Sequence, residues 1–313
     1  MVNQHQRQRQ RSKTKSKTHK QNNHQNNQHN KSQKLKKINC GPSSENTDFT
    51  CYSDDSLIKL RNLWNSRHPD KQISSNESKV IWKSLSGYMN NVCNTESCWL
   101  RQSFVNNRLD AELSRYTFAP KSPASWKKNK NEWLSSIDIE EVMKQYEHVY
   151  PCFDFLGPSP IDFDTKKMYD ECVWQELCEF DLKNHLKRGK TKIGIVFNTD
   201  PHYLGGSHWI AMFVNIKQGY IFYFDSNGEK MPKEIKQLAE RIQKQAQNLD
   251  IHLDIDENYP KQHQRGDTEC GMYVLYFIIS LLKDIKPPNY FKTTTITDED
   301  VEDLRHKYFN EDL

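Results

Sequence analysis

Three side chains, far apart in the chain, carry chemistry that fits together. His208 follows Gly205-Gly206-Ser207 and opens the apolar run Trp209 to Ile216. Asp225 closes the run Tyr220 to Asp225, and Cys270 stands directly before Gly271 to Leu282, which is apolar nearly throughout. A thiol attacks as its thiolate, which a neighbouring imidazolium and the positive end of a helix dipole both favour. A carboxylate behind the imidazole fixes its tautomer and stabilises its protonated form. Taken singly, each residue has a plainer role: a strand histidine, a turn-forming aspartate before Ser-Asn-Gly, a small core cysteine. Their joint placement at the seams of the hydrophobic pattern is what points to nucleophilic catalysis.

The elements that must position them follow from that pattern. Lys192 to Asn198 is short and rich in β-branched and aromatic residues, as a strand is. Trp209 to Ile216 has the continuous apolar character of a strand buried on both faces. Gln218-Gly219 marks a turn into Tyr220 to Asp225, so the two strands are expected to run antiparallel. The start of one then lies beside the end of the next, which brings His208 and Asp225 to one rim. Pro232 suits a helix start, and Ile235, Leu238, Ala239, Ile242 and Ala246 give that helix an apolar face. Asp250 to Asp256 alternates like a half-buried strand. Gly271 to Leu282 is expected to be a buried helix, with Cys270 at its N-terminus.

Upstream, Ile139, Val142, Met143 and Tyr146 share one helical face. Pro151 to Phe163 reads as a Pro- and Gly-bearing loop. Tyr169, Val173, Leu177 and Phe180 suggest a helix stopped by Gly189. Residues 40–118 read as helical. One helix follows the caps at Ser53-Asp54-Asp55-Ser56 with Leu57, Leu60, Leu63 and Trp64. A second carries Val80, Ile81, Trp82, Leu85 and Met89. A third is expected from Cys98-Trp99-Leu100 towards Leu113. Ala119 to Lys130 has the Pro, Ser and Lys of a linker.

With 313 residues the chain is long enough for two folded parts. Its net charge of +4 is unevenly spread: residues 1–38 hold 11 Lys/Arg and no acid, and without those eleven the remainder stands at −7. That amide-rich tract has almost nothing apolar to bury and is expected to be disordered. Its charge suits a solubilising tail or nonspecific contact with nucleic acid, though no interleaved aromatic is there to stack on bases. No apolar secretory segment is evident, and the longest apolar stretch, Tyr273 to Leu282, falls well short of the ~20 residues that span a bilayer. Reduced thiols in an intracellular compartment are therefore expected for the eight cysteines. Cys40, Cys51, Cys93 and Cys98 lack the CxxC turn of most structural zinc sites, and no metal, phosphate-loop or redox-cofactor signature stands out.

At these residues a resemblance emerges. The segments SHWIAMFVN, GYIFYFDSNG and QRGDTECGMYVLYF resemble the catalytic motifs of the cysteine-protease superfamily that contains the SUMO-specific proteases and the adenovirus protease. The family order of His-Trp, acid, Gln and Cys-Gly matches His208-Trp209, Asp225, Gln264 and Cys270-Gly271. The resemblance implies that Gln264, six residues before the cysteine, is an oxyanion donor, with Gln262 as the alternative. Trp133-Leu134-Ser135 resembles the family's upstream tryptophan motif, so Trp133 and Trp209 are expected to wall a slot that admits glycine. The block from Cys51 to Leu100 resembles the thiol proteases of large DNA viruses, of African swine fever virus and mimivirus type.

The implied fold class is α+β, a core with a mixed, mostly antiparallel sheet flanked by helices and preceded by a helical arm. The implied domains are a basic tail (1–38), an arm and linker (39–130) and a catalytic domain (131–313). Cleavage after small residues, at Gly-Gly-X-like sites, is the implied reaction, without a cofactor. The substrates would be viral structural or capsid precursors, in a virion or host cytoplasm, or else conjugates of ubiquitin-like modifiers. An acyltransferase built on the same His/Asp/Cys constellation is the rival chemistry, and an inactive relative the rival without any.

Overall fold

A computed structural model describes residues 35–44, 49–105, 113 and 115–311. The fold is α+β. Its centre is a five-stranded sheet in the order β1-β2-β3-β4-β5, formed by Phe153–Pro160, Lys192–Asn198, Trp209–Asn215, Tyr220–Phe224 and Asp254–Glu257. The two inner pairings, β2/β3 and β3/β4, are antiparallel. The two outer pairings, β1/β2 and β4/β5, are parallel, because helical crossovers return the chain to the same end of the sheet.

Alternation along the strands divides the core. Ile210, Met212 and Val214 of β3 face one cluster, which includes Ile235, Leu238 and Ile242 of the helix Lys233–Gln247. Ala211 and Phe213 face the other, formed with the helices Ser136–Val149 and Cys270–Leu282. These helices, with Asp54–Arg67 and Ser78–Met89 upstream, are named in chain order: α1 (54–67), α2 (78–89), α3 (136–149), α4 (233–247) and α5 (270–282). Apolar cover on both faces explains the unbroken hydrophobic run of β3, every residue of which is buried. The helix α5 is buried along its whole length apart from Tyr276, as its all-round apolarity predicts.

Helices α1 and α2 form the expected arm, with Leu57, Leu60, Trp64, Ile81, Leu85 and Met89 in one core. The expectation of disorder for residues 1–38 falls largely outside the described residues. The last four of these are held: Leu35 and Ile38 rest against the arm core, and the Lys36 N–H donates to the Asn94 carbonyl.

Four expectations need correction. No long third arm helix starts at Cys98: Glu96–Arg101 is a 3-10 turn that ends at Gln102, with the buried Glu96 carboxylate accepting from the Cys51 N–H and the Trp82 indole. The stretch 169–180 is not one helix, because Tyr169 and Asp170 adopt positive φ and the short helix Gln175–Cys178 is followed by another, Leu182–Lys187. Pro151 to Phe163 is not a loop, since β1 occupies 153–160. Its prolines are tolerated because it is an edge strand whose register shifts between Leu156 and Ser159. The thiols are not all reduced: disulfides join Cys40 to Cys51, Cys93 to Cys98 and Cys172 to Cys178, with Cα atoms 5.1, 5.5 and 6.2 Å apart. Those separations suit a disulfide, and the pairing is fixed by the local turns that bring the residues together, which spacing alone does not reveal. Cys152 and Cys270 are the free cysteines among the described residues.

Candidate active site

The antiparallel register Ala211↔Phe224 brings the start of β3 and the end of β4 to one rim. His208 precedes β3 there. Its loop folds tightly over Asn198, whose Oδ1 accepts from the backbone N–H groups of Asp200 and Ser207. Gly206, at φ +88°, makes that closure: a Cβ there would come within 2.7 Å of Asn198 Nδ2. Asp225 follows β4 and is buried. Asn258 holds it in place, accepting from the Asp225 N–H at 2.9 Å and donating to its carbonyl at 2.8 Å. The Asn227 N–H donates to Asp225 Oδ1 at 2.8 Å. That same oxygen lies 2.7 Å from His208 Nε2, so Nδ1 is the ring nitrogen left to face a nucleophile.

Cys270 is the first residue of α5 and is only 1% exposed. The helix N-terminus lies at the thiol, which favours negative charge there. Burial opposes a charge on His208, but hydrogen bonds and charge attraction from Asp225 and Cys270 outweigh it and push the imidazole up to about 9. The three side chains are therefore one coupled unit. Gly271 explains how α5 comes close enough, since a Cβ there would lie 2.8 Å from Leu134 Cβ. The Leu134 carbonyl accepts from Trp209 Nε1 at 2.8 Å, tying the segment before α3 to the residue after His208.

Gln264 is buried beside this unit. Its backbone N–H and that of His263 both donate to the Ser226 carbonyl, and the Ser226 hydroxyl donates to Gln264 Oε1 at 2.7 Å. Gln264 Nε2 donates to the Gly266 carbonyl at 2.9 Å, which leaves its second N–H for another acceptor. Gln262 instead donates to the Gln264 carbonyl at 3.0 Å. Gly228 presses the turn after Asp225 onto this segment, where a Cβ would lie 2.7 Å from the Gln262 nitrogen. Trp133, 40% exposed, and Trp209, 9% exposed, line one cleft of about 680 Å³, with Leu204 and Trp174 farther along it. The Asn258 clamp and the Ser226 hub were not foreseen. Ser226 adjoins Asp225 in sequence, whereas Asn258 is 33 residues away and gives no sequence signal.

Such a thiol, imidazole and carboxylate at one sheet rim suit a hydrolase or transferase that attacks through cysteine, and similarity to known proteins decides for a cysteine protease. Residues 184–313 match the family described as the Ulp1 protease family, C-terminal catalytic domain. The chain is a cysteine protease, and it is similar to viral thiol proteases. It is 28% identical over 291 residues to a thiol protease of Acanthamoeba polyphaga mimivirus, covering 86% of this chain and 92% of that protein. It is also 28% identical over 253 residues to the SUMO-1 cysteine protease of African swine fever virus, covering 74% and 90%. The crystal structure of the ASFV pS273R protease shares its fold, with a TM-score of 0.59 at 24% identity over 87% of this chain and 95% of that one. Among the described residues no helix is long and apolar enough to cross a membrane, and no group of three or more His, Cys, Asp or Glu is arranged to hold a metal ion.

Proposed function

We propose that Cys270 is the nucleophile, His208 its base and later the acid for the leaving amine, Asp225 the orienting carboxylate and Gln264 the oxyanion donor. The observation that carries this reading is the His208–Asp225 bond of 2.7 Å at the mouth of the Cys270 helix. The thiolate attacks the scissile carbonyl, the Gln264 N–H receives the developing oxyanion, and His208 protonates the departing nitrogen. Water then releases the acyl group, with His208 as base.

Trp133 and Trp209 line one cleft, and Trp209 follows the proposed base, so this cleft is the proposed substrate approach. Were the two indoles to close on a bound chain, glycine would pass for want of a Cβ, which is the basis for proposing Gly-Gly-X-like sites. The catalytic domain spans 131–313 and the arm with its linker 39–130. The viral relatives and the arm favour structural or capsid precursors as substrates, in a virion or host cytoplasm. The second reading is removal of ubiquitin-like modifiers, which the SUMO-1 protease name of the African swine fever virus relative supports. Nucleic-acid contact through residues 1–38 remains an auxiliary proposal, tested by salt-sensitive binding before and after their removal.

Cys270→Ala should abolish cleavage of a peptide library while leaving thermal unfolding nearly unchanged. Native protein should cut with glycine two residues before the break. A Cys270→Ala protein with residual turnover would overturn the nucleophile. Equal cleavage of glycine and leucine at that position would overturn the substrate class.

A further inference from the structure

The residue immediately before Cys270 is itself an acid. Glu269 is 3% exposed at the N-terminus of α5. A bare carboxylate there would oppose a thiolate, because like charges close together disfavour ionisation. Glu269 is not bare. Arg305, also 3% exposed, donates from Nε to Oε2 at 2.9 Å and from Nη2 to Oε1 at 2.8 Å, a two-pronged pairing. Its Nη1 donates to the Glu132 carbonyl at 2.9 Å, and its guanidinium lies 4.6 Å from the Trp126 ring centre. Glu132 precedes Trp133 and Leu134, and Leu134 is the side chain against which Gly271 packs. One arginine from near the end of the chain thus holds both the nucleophile's helix and the wall of the cleft.

The other charged or titratable groups facing Glu269 are Glu302 on the short helix Asp298–Glu302 and Tyr273 one turn along α5, while Lys127, Lys130, His306 and Glu311 line a cleft with Arg305, and His208 and Asp225 lie on the far side of Cys270. The Thr268 hydroxyl adds a bond to Glu269 Oε1 at 3.1 Å. Burial raises the Glu269 carboxyl above its ordinary range, outweighing the Arg305 charge and hydrogen bonds and the Thr268 hydroxyl, which draw it back towards the charged form.

We propose that Arg305 is a positioning residue of the thiol centre: it cancels the Glu269 charge beside Cys270 and fixes the start of α5 against the Glu132–Leu134 wall. The proposal rests on Cys270 being the nucleophile. A buried pair that served stability alone would leave the acidity of the thiol untouched when removed, which gives the experiment its discriminating readout.

The test is the pH dependence of Cys270 alkylation by iodoacetamide, mapped by mass spectrometry, together with kcat and KM on a glycine-containing peptide. Arg305→Met should move the acid limb of alkylation up by about one pH unit, roughly tenfold slower labelling below the midpoint. The double variant E269Q/R305M should return the limb to its native position. Arg305→Lys keeps the charge but loses the fork, so it should keep the limb and lower kcat several-fold more than it raises KM. A folded Arg305→Met protein with the native limb, or a double variant as shifted as the single one, would overturn the proposal. Should Arg305→Met fail to fold, Arg305→Lys decides: a native kcat overturns the proposal and a depressed kcat at unchanged limb supports it. Faster labelling of the other free cysteine, Cys152, with Cys270 left unmodified in native protein would overturn the nucleophile assignment, and the proposal with it.

Discussion

Among the described residues, two His–Asp contacts of nearly equal length have a buried carboxylate, and only the one at His208 has a thiol among its partners. His208 and Asp225 are 2.7 Å apart, while His185 and Asp154 are 2.6 Å apart. The surroundings of the carboxylate separate them. Asp154 is shared: Arg188 and Lys190 also reach it, and His185 stacks on Phe180 with ring centres 4.8 Å apart. Burial opposes its ionisation, but His185, Arg188 and Lys190 pull it down to about 2. Among the described residues Asp225 has no second cation within ion-pair reach; the N–H of Asn227 and the amide of Asn258 hold it. Its field falls on one imidazole, and that imidazole faces Cys270. A His–Asp contact is therefore a part, and its role is set by what else the acid must serve.

The sharpest break in this comparison comes from removing each histidine. His208→Ala should lower kcat/KM by about 10³-fold or more, since base and thiol act as a unit. His185→Ala should lower thermal stability and leave kcat/KM per folded molecule within about twofold, the scatter expected of a site removed from the chemistry. Equal catalytic losses in both would erase the distinction. The raised His208 sets the alkaline side: its charged form adds stability in full below 6.5, and this is lost as pH climbs through about 9. Activity should decline over that same upper range, and Asp225→Asn should bring the decline to lower pH.

A smaller effect is expected at the oxyanion. Gln264→Ala should cost about 10²–10³ in turnover, the usual loss for one donor. Gln262→Ala should cost far less, because its amide is turned to the Gln264 backbone. The reverse order in measured kcat would exchange the two assignments.

The smallest effect on catalysis belongs to Asp154. Asp154→Asn should leave kcat/KM near native and cost about 1–3 kcal/mol in urea unfolding, the range for a charge-assisted buried contact. The sign follows from a depressed carboxyl. Its contribution is present above 3.8 and lost as pH falls through about 2, so native and variant stabilities should converge in strong acid. A constant gap across that range would mean that packing alone is responsible.

Much of this arrangement was legible in the sequence. Periodicity placed β2, β3, β4 and the buried α5, and strand pairing alone put His208 and Asp225 on one rim. What escaped had no periodic signal. In β1, Pro158 and Pro160 mask a strand that survives only because it is an edge. The 169–180 stretch keeps helical spacing while Tyr169 and Asp170 turn the chain through positive φ. The disulfides depend on turns that spacing does not encode. Arg305 and Glu269 are 36 residues apart, and a charged pair at that distance looks like ordinary surface polarity until burial is known.

Asn310 stands at both feet of the arm. Its side chain exchanges bonds with Asn39, where the arm begins, while its Nδ2 and N–H donate to the Ala119 and Pro120 carbonyls, where the arm ends. The stretch between residues 39 and 119 is therefore closed into a loop at one side chain. Because closing entropy grows only slowly with loop length, such an excursion can gain or lose residues with little cost to the core beneath it. Lengthening that stretch should therefore disturb the sheet little for as long as Asn310 pins its two ends.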